Sequence, residues 1–283
     1  MILTLVLGLA TATLPNDTTL TVDVRRGQRL DVQAHNGHVT IRTWAREEVR
    51  IQSTGRSLPE IASAGSVLHI DNGPGRRRDG EDDLTLTIPA AMDIRVDAVG
   101  GDVVVENAGG AVEVQSVEGE VNVSGGRGII ILHSVSGAVS VTGARGKIDL
   151  NTVSEAIKGT DLEGTITAET VSDEIRLTGI RSNDVSATSV SGDMTYEGTM
   201  APTGRYHFSS HSGDCTIEVP AGVKADLDIS TYSGDFESDF PVTVSDRRGK
   251  RFTASVGGGG AKVALESFSG SIHLVRAGTR GNR

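Results

Sequence analysis

The chain repeats itself every eighteen residues, and this limits its folds more than any other feature it has. Val99, Val117, Val135, Val153 and Val171 are each eighteen apart. Val190 follows after nineteen, His211 and Tyr232 continue at twenty-one each, and Phe268 comes after a longer gap. Each is followed by a turn sequence: Gly-Gly-Asp at 100–102, Glu-Gly-Glu at 118–120, Ser-Gly-Ala at 136–138, Ser-Gly-Asp at 191–193, 212–214 and 233–235, and Ser-Gly-Ser at 269–271. Half a period away a second column runs through Ala108, Gly126, Ala144, Leu162 and Ile180.

Within one period the apolar positions are Val103, Val105, Ala108, Val112, Val114 and Val117, with gaps of 2, 3, 4 and then 2, 3, 4 again into the next coil at Val121. Alternation of period two marks a strand with one buried face. The wider gaps, rich in Gly, Ser and Asp, mark turns. One coil cannot bury its own apolar face, but a stack of coils can. The expected fold is all-β: a single-stranded parallel β-solenoid with two short strands per coil of about eighteen residues, wound right-handed on general crossover statistics. A hexapeptide left-handed helix would need an apolar residue every six, which the 2-3-4 pattern does not supply. After each turn the first inward position is Val103, Val121, Val139, Ile157, Ile175, Met194, Cys215, Phe236 and Ile272, a set of core columns. Cys215 is then a small core hydrophobe and not a nucleophile. Val117 reads as inward too. So does Phe268, at the end of a series Met194, Tyr196, Phe208, Phe236 and Phe268 that predicts a wider cross-section in the longer coils. Composition agrees with a narrow, turn-rich stack: 36 glycines and 3% aromatics.

The flanks are less regular. Residues 17–98 are expected to be a β-rich segment continuous with the solenoid at 99–275, and 276–283 a basic tail. Asn36-Gly37 and Gly27-Gln28 read as hairpin turns. Leu84–Asp102 resembles Thr216–Asp235, each running strand, Val/Ile-Pro-Ala, strand, Gly-Asp, which suggests an imperfect duplication. Residues 1–12 carry an apolar run, ILTLVLGLATA from Ile2, too short to span a bilayer and suited to a secretory signal. No second run is long enough for a membrane span. The expected location is therefore exported: periplasmic, cell-surface or extracellular. A net charge of −10 opposes nucleic-acid binding, and a single cysteine excludes an intrachain disulfide.

The repeated corners SVSGAVSV, SVSGDMTY, SHSGDCTI and FSGSIHL, the segment RLDVQAHNGHVTIRTWAREEVRI at 29–51 and the Ile-Pro-Ala segment before the coils resemble the bacterial putative-adhesin β-strand-repeat family, a domain of unknown function similar in style to auto-transporter adhesin heads. The likeness covers most of 20–275. It implies an exported β-solenoid with a surface or envelope role, and it brings no catalytic residues.

Chemistry-bearing groups have plainer readings beside them. Asp102, Glu120, Glu174, Asp193, Asp214 and Asp235 form an acidic turn column that could offer oxygens to Ca²⁺, yet Asp is a favoured turn residue in its own right. His207, His211 and Cys215 recur every four residues but need not converge across strand, turn and strand. His35 and His38 flank a turn. Trp44, Tyr196, Tyr206 and Tyr232 are the aromatics available as sugar platforms. Arg76–Arg78 and the Arg247–Arg251 cluster read as polar loops able to touch anionic headgroups or glycans. No catalytic residues and no cofactor are assigned. The expected function is a non-enzymatic, adhesin-like solenoid presenting a repeated surface to an envelope or extracellular protein or glycan. A carbohydrate-active enzyme on the same scaffold and an envelope structural or stress-signalling component are the alternatives.

Overall fold

The computed structural model describes residues 18–54, 59–73 and 82–278. The apolar segment at 1–12 expected to be a signal, the Arg76–Arg78 cluster and the end of the basic tail lie outside the described residues. Among the described residues there are 25 strands and no helix, so none is long and apolar enough to cross a membrane.

The chain is a parallel β-solenoid. In each regular coil a strand on one face, such as Val103–Ala108, is followed by one on the other, such as Val112–Ser116. Each strand pairs in parallel with its equivalent one coil on: Val112 opposes Ile130 and Val121 opposes Val139. The first face stacks Val39–Trp44, Val103–Ala108, Val121–Gly125, Val139–Thr142 and Ile157–Thr160. The second stacks Arg29–Ala34, Asp93–Ala98, Val112–Ser116, Arg127–Ser134, Arg145–Thr152 and Glu163–Thr170. Two long strands, Ile175–Ser189 and Met194–Ser210, then contribute to both faces. Alternate side chains of the faces meet in one core, which includes Val103, Val121, Val139, Ile157, Ile175, Met194, Cys215 and Ile272. Phe236 is half-buried and packs edge-on against Phe252, ring centroids 5.7 Å apart. Burial, and secondarily the Asp214 charge, push the Cys215 thiol up to about 12.

The second column fixes the opposite corner. Ala108, Ala144, Leu162 and Ile180 are buried there. Beside them a left-handed residue recurs every eighteen positions: Asn107, Gly125, Gly143, Asp161 and Gly179, with φ between 52° and 81°. Asn and Asp are the side chains that tolerate this region best, which is why they alternate with glycine here.

Coil order departs from chain order at both ends. Arg29–Ala34 and Val39–Trp44 lie between the 67–89 strands and the 93–108 strands. Ala261–Ser267 and Ile272–Arg276 lie between the 205–219 strands and the 225–238 strands. The duplicated proline segment is the device. At Pro89 and at Pro220 the chain makes the same tight turn, Met92 N–H to Pro89 C=O at 3.0 Å and Val223 N–H to Pro220 C=O at 3.0 Å, and steps over one coil. Another part of the chain fills the slot. Asn36-Gly37 and Gly27-Gln28 are therefore not hairpin turns: the strands they join lie on different faces and share no ladder. The true hairpins are Glu60–Ala64 with Val67–Asn72 and Val242–Arg248 with Arg251–Val256. Antiparallel strands close both ends of the stack, Thr18–Asp23 on Glu48–Ser53 at one and the exposed, charged Val242–Arg248 at the other. Charged edges of this kind discourage strand addition.

Candidate functional site

The eighteen-residue column is a continuous exposed apolar row among the described residues, not part of the core. Val99, Val117, Val135, Val153, Val171 and Val190 are 42–48% exposed, and Phe268 is 47% exposed. Val117 and Phe268 thus point outward, against the sequence expectation. The cause is parity. Val112, Val114 and Ser116 continue the two-residue alternation to the end of the strand, so Ser116 takes the inward place and Val117 is turned out.

The inward hydroxyls build the corner. Ser134, Ser189 and Ser267 accept the N–H of Gly137, Gly192 and Gly270, each at 2.9 Å, closing their own turns. Where Thr152 and Thr170 replace serine and Glu155 and Asp173 replace glycine, the threonine hydroxyl reaches back and donates to the preceding corner, to Gly137 C=O and Glu155 C=O. Backbone bonds stack the corners, as in Ser136 N–H to Val117 C=O at 3.0 Å. Side chains therefore stand one above another in a ladder: His35, Val99, Val117, Val135, Val153, Val171, Val190, His211, Phe268, Tyr232. The last three are rings stacked face to face, His211 on Phe268 at 4.7 Å and 11°, and Phe268 on Tyr232 at 4.7 Å and 2°. Tyr232, the end of the stack, is 69% exposed.

Beside the ladder runs the outward polar row of the second face, Gln33, Asp97, Gln115, His133 and Asn151, each opposite the next in register. Ladder and row together border a groove of about 600 Å³ that crosses five coils, with His35 at one end.

The acidic column is used for stacking. Asp102 Oδ1 accepts Glu120 N–H at 2.8 Å, Asp193 Oδ1 accepts Asp214 N–H at 2.9 Å, and Asp214 Oδ1 accepts Ser271 N–H at 2.8 Å. Glu174 pairs with Arg176, while Asp235 accepts Ile272 N–H through its backbone carbonyl. His38 belongs to the same column and accepts Asp102 N–H at 3.0 Å. Among the described residues no three His, Cys, Asp or Glu side chains converge to hold a metal ion. His207, His211 and Cys215 are dispersed: His207 on the outer surface of the second face, His211 in the ladder, Cys215 inside. Tyr196 and Tyr206 are buried and offer no sugar platform. Trp44 lies under two guanidinium groups, Arg46 at 5.0 Å and Arg50 at 4.8 Å, with its indole N–H given to Glu48 C=O. The Arg247–Arg251 cluster is a hairpin end and not a loop. There Arg248 pairs with Asp246, Arg251 pairs with Asp228, and Arg247 lies over Phe252.

These features define a two-faced parallel β-solenoid with one laddered corner. The chain belongs to the Toastrack DUF4097 family, whose pattern matches residues 12–275. A solved structure shares the fold at low identity. A protein of Parabacteroides distasonis solved under the name "putative adhesin" is 11% identical, with a TM-score of 0.50, over 92% of this chain and 97% of that one. A "putative lipid binding protein" of the same organism is 8% identical with a TM-score of 0.46 over the same shares. A "putative adhesin" of Bacteroides fragilis is 11% identical with a TM-score of 0.37, again over 92% and 97%. No curated protein matches the chain.

Proposed function

We propose that this chain is an exported, non-enzymatic, adhesin-like solenoid that binds an envelope or extracellular partner along its laddered corner. The observation that carries this reading is the ladder itself: six valines held nearly half exposed at constant spacing, continued by three stacked rings. Single exposed apolar residues need no explanation, but a contiguous apolar strip does. The adhesin names of its structural relatives and the apolar segment at 1–12 support the same reading. So does the use of serine hydroxyls and aspartate carboxylates to close and staple corners, where they are committed to backbone N–H groups.

Magnitudes shape the mode of binding. Covering the exposed half of a valine contributes on the order of 1 kcal/mol. Six of them roughly offset the ~4 kcal/mol or more lost in association. The apolar ridge alone therefore gives weak attachment, and the polar row beside it has to supply specificity.

The test is retention of the folded protein on envelope fragments. Val135→Asp with Val171→Asp is expected to lower retention at least tenfold with a fall of only a few degrees in the thermal midpoint, because the two sites are not adjacent and each side chain already has nearly half its surface in solvent. The charge-matched Lys158→Asp on the first face is expected to bind like the parent. Equal retention of the ladder variant would sink the proposal.

A further inference from the structure

Resting on the ladder as the binding face, we infer that the groove beside it takes a neutral linear glycan, one sugar per coil. Gln33, Gln115, His133 and Asn151 each carry groups able to donate and to accept, which is the requirement for binding hydroxyl or acetamido groups that do both. The carboxylate in the row is paired: Asp97 accepts from Arg95 at 3.1 Å, a guanidinium it shares with Glu113 at 2.8 Å, and among the described residues no Lys or Arg lines the groove to draw an anionic ligand.

The ladder valines Val99, Val117, Val135 and Val153 line the same groove and supply the apolar wall that the C–H faces of pyranose rings pack against.

Spacing selects the polymer. Equivalent side chains recur every ~4.8 Å along the stack, whereas an extended peptide presents same-face side chains only every ~6.6 Å and so cannot offer one group to each coil. An extended β-linked glycan advances by one pyranose ring per unit, close to the coil spacing. Five coils at that spacing span about 20 Å, room for about four or five sugars.

Calorimetric titration of the full chain with cello- and chito-oligosaccharides of two to six units tests this. Affinity is expected to climb with each unit to four or five and then level. Gln115→Ala with Asn151→Ala is expected to weaken the longest oligomer at least tenfold at an unchanged thermal midpoint. An acidic oligogalacturonate of equal length is expected to bind more weakly. Absence of binding, affinity independent of length, preference for the acidic oligomer, or full affinity in the double variant would each overturn the inference. Envelope retention measured alongside separates the two readings. If the ladder variant loses retention while no oligosaccharide binds, the glycan assignment falls and the adhesin-like reading stands.

Discussion

Replacing Gly137 with alanine is expected to cost about 3 kcal/mol or more, by overpacking a site that cannot relax. A β-carbon there would fall well inside contact distance of the Gly119 carbonyl oxygen. Gly119 stands in the same way over Gly101, and Gly101 over Gly37. The coils cannot part locally, because Val121 N–H to Ala138 C=O at 2.8 Å and Ser136 N–H to Val117 C=O at 3.0 Å hold them on either side of the corner. At 2–4 °C per kcal/mol for a chain near this size, the midpoint should fall by roughly 6–12 °C. Gly143→Ala is the control. Its φ is +71° and nothing lies within 4 Å of the added carbon, so only the left-handed backbone penalty of about 1–2 kcal/mol applies. Thermal unfolding of the two variants side by side separates stacking from backbone strain, and equal losses would contradict the stacked-corner account.

Tyr196→Ala is expected to cost about 3–5 kcal/mol, the range for truncating a large buried aromatic. Tyr196 is fully buried, with its ring 5.2 Å from Phe208 and 6.2 Å from Tyr206, where the two long strands widen the stack. Its hydroxyl donates to Thr199 C=O at 3.0 Å, so the substitution also strands a carbonyl. Burial holds its phenol well above the usual range, so it stays protonated and neutral throughout ordinary conditions. Urea denaturation reads the loss. A change below about 1 kcal/mol would mean that this part of the core collapses around the gap or is looser than its packing implies.

The stacked coils were legible because period-two alternation repeats in Val103–Val105, Val121–Val123 and Val139–Val141, and eighteen-residue spacing leaves few ways to bury such strands. The outward ladder is not legible in its own residues, because valine and phenylalanine carry no local mark of exposure. The mark was in their neighbours. Ser116, Ser134, Thr152, Thr170, Ser189, Ser210 and Ser267 precede the ladder residues, and a small hydroxyl residue at the end of the alternation takes the inward slot. The presence of His211 and Tyr232 in the same column was a second sign. Coil order at the ends was hidden because the step taken after Pro89 and Pro220 depends on which distant segment fills the gap. The duplicated Val/Ile-Pro-Ala motif was its visible trace. The groove was also hidden, since Gln33, Asp97, Gln115, His133 and Asn151 share nothing but parity and register.

The central claim is that the laddered corner is the binding face. Covalent footprinting of the protein bound to envelope fragments tests it most directly. The account predicts protection of Val99 through Val190 and of Phe268 and Tyr232, with labelling unchanged at Lys158 and Arg176 on the first face. Protection centred on the first face, or on the Arg247–Arg251 hairpin with the ladder still labelled, would contradict it.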